Sequence, residues 1–211
     1  MSSGDTPERQ RIENLPREAW TPEVEALFPI MLPPGSPAKG SDFNSILLLA
    51  HHPRLSEPWL QFNAKVAQGF TLSAREREIA ILRVAWRRGS EYEWVHHMLS
   101  GARAGLTVAH FAALQSEHAS GDWSELETLL IRATDEICLA GGVAADTLEQ
   151  LGKHLSTEQV FELLYATGCY IALAAILNTA GAAIEPQVAE QTACAGLPHF
   201  NPPAVPQERA P

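Results

Sequence analysis

The sequence predicts an all-α fold, and three observations carry that prediction. Of fifteen prolines, none falls between Trp59 and Glu185, and an interior proline would remove a helix hydrogen bond and clash with the preceding turn. Apolar residues in that stretch return every three or four positions, the spacing of one helical face. Alternating apolar and polar residues, the mark of a half-buried strand, are missing from it.

Taken in order, a short helix is expected near Pro22 to Phe28, followed by an arm through Pro33, Pro34 and Gly35 to about Gly40. The next helix covers Ser41 to Ala50, and a third starts after Pro53 and runs through Trp59, Phe62 and Val66 to Gly69. Ser73-Ala-Arg-Glu76 fits a capping box, in which the serine and glutamate satisfy each other's backbone N–H groups. That helix carries Ile79, Leu82, Val84 and Trp86 and stops at Gly89. Ser90 or Glu91 opens the following one, which ends near Ala104 with Gly105 in the left-handed stop position. Shorter helices are expected at Val108 to Glu117, Ser124 to Leu139 and Ala144 to Leu155. The last, from Ser156 through Ile176, is so apolar that it belongs in the core or against a partner subunit. Three regions result: a proline-rich arm with a short helix over 1–42, a helical domain over 43–185, and a proline-rich tail over 186–211 that reads as extended or disordered.

Bulk properties narrow the function. The formal charge of -10 is spread along the chain and repels nucleic acid phosphates and anionic lipid, so neither is an expected partner. No uninterrupted apolar run approaches the roughly 20 residues of a bilayer span. The N-terminus shows no secretory signal, which makes the cytoplasm the default compartment. Cys138, Cys169 and Cys194 are odd in number and far apart, against a disulfide framework or a Cys-x-x-Cys pair. The arginine-rich stretch Arg75, Arg77, Arg83, Arg87 and Arg88 reads mostly as a solvated helix face, with one guanidinium free to meet a substrate carboxylate.

One constellation could carry chemistry. Glu93 and His97 lie four residues apart, on one face of one helix. An imidazole held beside a carboxylate can give or take a proton near neutral pH. Glu78, on the preceding helix, shares a stripe with Leu82 and should point inward, where a buried carboxylate needs a partner such as His97 or Arg83. The ordinary reading of a glutamate and histidine at this spacing is a solvated helix face. The doubled histidines His51-His52 and His96-His97 raise the question of a metal. Bundle metal sites repeat Glu-x-x-His on two helices, and Glu93 to His96 is a single copy, so no metal is expected. No nucleophile elbow or phosphate-binding glycine loop occurs.

At these residues the chain resembles the carboxymuconolactone decarboxylase and alkyl hydroperoxidase D (AhpD) superfamily. The resemblance lies in Leu72-Ser-Ala-Arg-Glu-Arg-Glu-Ile-Ala-Ile-Leu-Arg-Val-Ala, in Tyr92-Glu-Trp-Val-His-His and in Ala104-Gly-Leu-Thr, and continues weakly through Asp135 and Leu155 to Asn178. It implies an AhpD-like helical bundle that assembles as a homo-oligomer, a trimer or hexamer, with a dimer also open. The hydroperoxidase branch uses a glutamate, a Cys-x-x-Cys pair and a histidine. Glu78 and His97 stand at the first and last of these, while Ser90 and Glu93 stand where the cysteines would be. Without a thiolate there is no nucleophile for peroxide, so the resemblance points to the decarboxylase branch, whose members need no cofactor. It implies a small carboxylate or lactone as substrate, His97 as acid/base, Glu93 as its orienting or relaying group, and Glu78 on the far side. Arg83 is then the expected carboxylate anchor, and Tyr92, Trp94 and His96 the expected pocket wall. An oxidoreductase with an antioxidant-like role and a non-catalytic helical interaction protein are the alternatives.

Overall fold

A computed structural model describes residues 10–31 and 43–203; the expected arm from Pro33 to Gly40 and the far end of the tail lie outside them. Among the described residues every regular element is helical: α1 (Pro22–Glu25), α2 (Asn44–Leu49), α3 (Pro53–Gln68), α4 (Ala74–Arg87), α5 (Glu91–Arg103), α6 (Val108–Leu114), α7 (Glu125–Ala140), α8 (Ala145–Leu151), α9 (Thr157–Ala180) and α10 (Pro186–Cys194). Two short 3-10 turns, at Arg17–Ala19 and Phe28–Met31, flank α1.

The start signals work as expected. Ser73 and Glu76 form a full capping box on α4, and Ser124 with Glu127 and Ser156 with Gln159 do the same for α7 and α9. Gly105, with φ at 86°, takes the left-handed position after α5, where a side chain would be strained.

Helix α4 is the hub and packs on α5, α7 and α9. Its residues Glu78 to Trp86 are all buried, so it is enclosed on every side rather than amphipathic. This corrects the reading of a solvated arginine face for Arg83 and Arg87, while Arg75 and Arg77 are partly exposed and Arg88 is exposed. The Arg83 side chain is 0% exposed, and Arg87 is largely covered beside it. On the α5 side, Leu82, Trp94, Met98 and Phe111 form one core; on the α9 side, Ile81, Val84, Cys169 and Tyr170 form another. Helix α9 is long, with a mean hydropathy of 1.9 over its most apolar stretch. Its buried stripe serves the core, yet Phe161, Tyr165 and Ile176 remain exposed.

The chain after Pro186 departs from expectation. In place of an extended tail, Pro186–Cys194 forms α10, which packs against α5. Val188 is buried in the Trp94 core, with Leu197 and Phe200 packed against it. Asn201 binds this segment down, its carbonyl accepting from Trp86 Nε1 at 2.8 Å. Only a few apolar residues at irregular spacing anchor it, which is why periodicity did not reveal it.

Candidate active site

Glu78, Glu93 and His97 converge because α4 and α5 pack face to face. Glu78 is buried, and its Oε2 lies 2.7 Å from His97 Nδ1. The carboxylate therefore orients the ring from a neighbouring helix, while Tyr170 of α9 meets it edge-on with centroids 4.8 Å apart. His97 Nε2 makes no hydrogen bond among the described residues, so one ring nitrogen is held and the other left to react. The expected pairing of Glu93 with His97 along α5 is replaced by this cross-helix bond.

Glu93 has a different environment. It is 2% exposed, and neither carboxyl oxygen has a hydrogen-bond partner among the described residues. Burial drives its pKa up to about 8; the Ser90 hydroxyl opposes this only weakly, without reaching hydrogen-bond geometry. With its pKa raised above neutrality, the protonated acid is the favoured form at pH 7, a donor without an acceptor among the described residues.

Glu93 is among the residues lining a cavity of 200 Å³, with a mostly apolar wall that includes Leu49, Trp59, Leu60 and Leu173. Its polar groups are Glu93, His96, His97, Tyr92, Asn63 and Ser45, with Tyr170 beside them. This volume lies below the ~300–1,000 Å³ of sites for drug-sized ligands and suits a single small ring. A second hollow, of 290 Å³, lies on the Glu78 side of His97 and is lined by Arg77 and Arg103. The His97 ring thus stands between an apolar chamber and a charged opening.

A second carboxylate–imidazole pair borders the same cavity. Glu185, 2% exposed, sits at the N-terminal end of α10 with its Oε2 at 2.8 Å from His96 Nε2. Its Oε1 accepts from the Tyr92 hydroxyl at 2.7 Å and from Asn44 N–H at 2.6 Å. Burial pushes this carboxyl up, but the bonds from His96, Asn44 and Tyr92 outweigh it and hold the pKa below its ordinary value. The Tyr92 ring stacks on His96, with centroids 4.4 Å apart, and its hydroxyl accepts from Ser45 N–H at 3.2 Å. Burial, first of all, keeps that hydroxyl well above its usual pKa.

Two expected site residues are elsewhere. Arg83 does not reach the cavity, because its five guanidinium donors are spent on Asp135 and on the carbonyls of Leu114, Ser116 and Glu117. It is a buried tie between α4, α7 and the loop after α6, with nothing left for a substrate. Trp94 is 0% exposed and packs against Phe111 and Phe200 on the opposite side of α5. Tyr92 and His96 do line the cavity. Two contributors escaped sequence reasoning. Asn63 lies on the apolar stripe of α3 between Leu60 and Val66, a misplaced amide that could have flagged it. Glu185 had only its place before Pro186, a helix-start signal without periodicity behind it.

With this geometry in hand, the comparisons are consistent. Residues 53–136 match the model of the carboxymuconolactone decarboxylase family. The chain is similar in fold to an uncharacterized peroxidase-related protein from Silicibacter sp. TM1040, with a TM-score of 0.72 and 13% identity, covering 87% of this chain and 96% of that one. It is similar to the debrominase Bmp8, solved as a cysteine-to-alanine variant with 2,3,4-tribromopyrrole, with a TM-score of 0.69 and 15% identity over 88% of this chain and 97% of that one. It is also similar to an alkylhydroperoxidase AhpD core from Ralstonia eutropha JMP134, with a TM-score of 0.61 and 17% identity over 68% and 77%. No curated protein matches. The central phrase of the sequence lies within the span that matches the carboxymuconolactone decarboxylase family model, and the AhpD-like structures share the all-helical fold.

Proposed function

We propose that this protein is a cofactor-independent acid–base enzyme, a lyase or isomerase, acting in the cytoplasm on a small lactone or related ring-cleavage product. The observation that carries this reading is that Glu93, whose buried carboxyl has no hydrogen-bond partner among the described residues, lines the cavity beside His97. A neutral acid in an apolar chamber can donate to a carbonyl oxygen and becomes a better donor as negative charge develops there. His97, oriented by Glu78, takes or returns the proton at carbon through Nε2. If the substrate carries a carboxylate, loss of carbon dioxide leaves the same enolate, which Glu93 holds and His97 protonates. The Glu78 side of His97, with Arg77 and Arg103, gives the pair a route for proton exchange with solvent.

An antioxidant role finds less support. Burial raises the thiols of Cys138 and Cys169, disfavouring the thiolate, and neither residue lines the cavity. Ser90 and Glu93 supply no sulfur where the hydroperoxidase branch has its pair. A purely structural role would not call for an unsatisfied acid at a cavity wall.

The test is a screen of lactones and 2-keto acids for isomerisation or released carbon dioxide, followed by His97→Ala and Glu93→Gln. Each substitution should lower turnover by about 10²–10⁴-fold with unchanged helical circular dichroism. Retained turnover in both variants would refute the assignment.

A further inference from the structure

The cavity holds two imidazoles, and the reading above uses one. His96 and His97 are consecutive on α5, yet both line the same chamber. Each has one ring nitrogen held by a buried carboxylate from a different helix: His97 Nδ1 by Glu78 of α4, and His96 Nε2 by Glu185 at the start of α10. The other nitrogen of each ring, Nε2 of His97 and Nδ1 of His96, makes no hydrogen bond among the described residues. Opposite nitrogens are therefore presented by two rings each supported by a buried carboxylate, with the Glu93 acid one turn earlier on the same helix.

The rest of the wall limits what these rings can serve. Among the described residues, those lining the chamber include no lysine or arginine, and the expected anchor, Arg83, is spent elsewhere. An ionised carboxylate entering an apolar chamber without a guanidinium partner would lose its hydration largely uncompensated. A neutral, enolisable carbonyl ring fits better, and on such a substrate two acid/base groups allow a proton to leave one carbon and return to another.

Resting on the acid–base reading above, we propose that His96, positioned by Glu185, is a second catalytic residue, and that the reaction is a two-base proton shift converting a β,γ-unsaturated lactone into its conjugated isomer. Neutral His97 removes the proton on the carbon next to the carbonyl. The C–H electron pair becomes a carbon–carbon double bond, and the carbonyl π pair moves to oxygen, where Glu93 donates a hydrogen bond. The dienolate then collapses: the carbonyl re-forms, the ring double bond moves into conjugation, and the γ carbon takes the proton carried by His96. His97 ends with one proton more and His96 with one fewer, and exchange with water restores both. No electron acceptor is needed. Glu185 acts through His96: its carboxylate offsets the imidazolium charge, and its bonds to Tyr92 and Asn44 fix where the ring sits.

A structural tie between α2, α5 and α10 is the competing role for Glu185, and a partitioning experiment separates the two. The probe is α-angelica lactone in deuterated buffer, read by NMR for exchange at the carbon next to the carbonyl and by ultraviolet absorbance for conversion to the conjugated isomer. Wild-type protein should accelerate both above buffer. His96→Gln and Glu185→Gln should keep exchange while isomerisation falls by about 10²-fold, and His97→Ala should lose both. Equal loss of exchange and isomerisation in the folded Glu185→Gln variant would leave that residue a structural tie. Full isomerisation by His96→Gln would overturn the second base while sparing the acid–base reading. Wild-type protein that accelerates neither process would overturn both. Should Glu185→Gln fail to fold, His96→Gln decides alone.

Discussion

At the scale of single residues, the site depends on two carboxyls of opposite character, fifteen residues apart in sequence: Glu78, bonded to His97, and Glu93, without a hydrogen-bond partner among the described residues. Periodicity turned Glu78 inward and spacing put Glu93 beside His97, but neither showed which one meets the histidine, because that depends on how α4 crosses α5. Likewise the arginine row looked alike in sequence, and only packing separated the enclosed Arg83 from its neighbours. The state of Glu93 has a thermodynamic consequence. Its folded pKa of about 8 lies above its ordinary 4.5, so the native state holds a proton that the unfolded chain releases between those values. Stability is then greatest below the lower value and declines as pH rises toward the upper one, with a limiting slope of about 1.4 kcal/mol per pH unit from this group. Urea titrations across that window should show the decline in wild-type protein and a flatter profile in Glu93→Gln. Parallel profiles would mean that Glu93 is ionised in the fold.

At the scale of elements, helix starts were the most legible features, since capping boxes are local and Ser73 with Glu76 needs no tertiary context. Helix α10 was the least legible: its few anchors, Val188, Leu197 and Phe200, gain meaning only against the Trp94 core. The close crossing near Gly101 was equally hidden. A Cβ there would come within 2.9 Å of Leu106 Cδ1 and 3.1 Å of Phe111 Cε1, so any larger residue at this point must displace side chains packed between α5 and α6. Gly101→Val should cost about 1–3 kcal/mol by overpacking, seen as a lowered thermal midpoint. An unchanged midpoint would show that α5 and α6 are less tightly engaged.

At the scale of the whole molecule, the all-α architecture and the likeness to the carboxymuconolactone decarboxylase family were readable from proline placement and one central phrase, whereas the cavity was not, because its wall draws on α2, α3, α5 and α9 together. The expected homo-oligomer gains a candidate surface in Phe161, Tyr165 and Phe62, apolar residues exposed across α9 and α3, where Phe62 and Tyr165 already meet edge-on. Light scattering after size exclusion should give a multiple of the 23.0 kDa chain, and a clean monomer at micromolar concentration would contradict it. The central claim, an acid–base site built on a neutral buried acid, meets its most direct test without any substrate. Carbon-13 NMR of protein labelled at the glutamate carboxyl carbons should show one signal titrating near pH 8 that is absent from Glu93→Gln. A spectrum in which every glutamate titrates near its ordinary value would contradict the account.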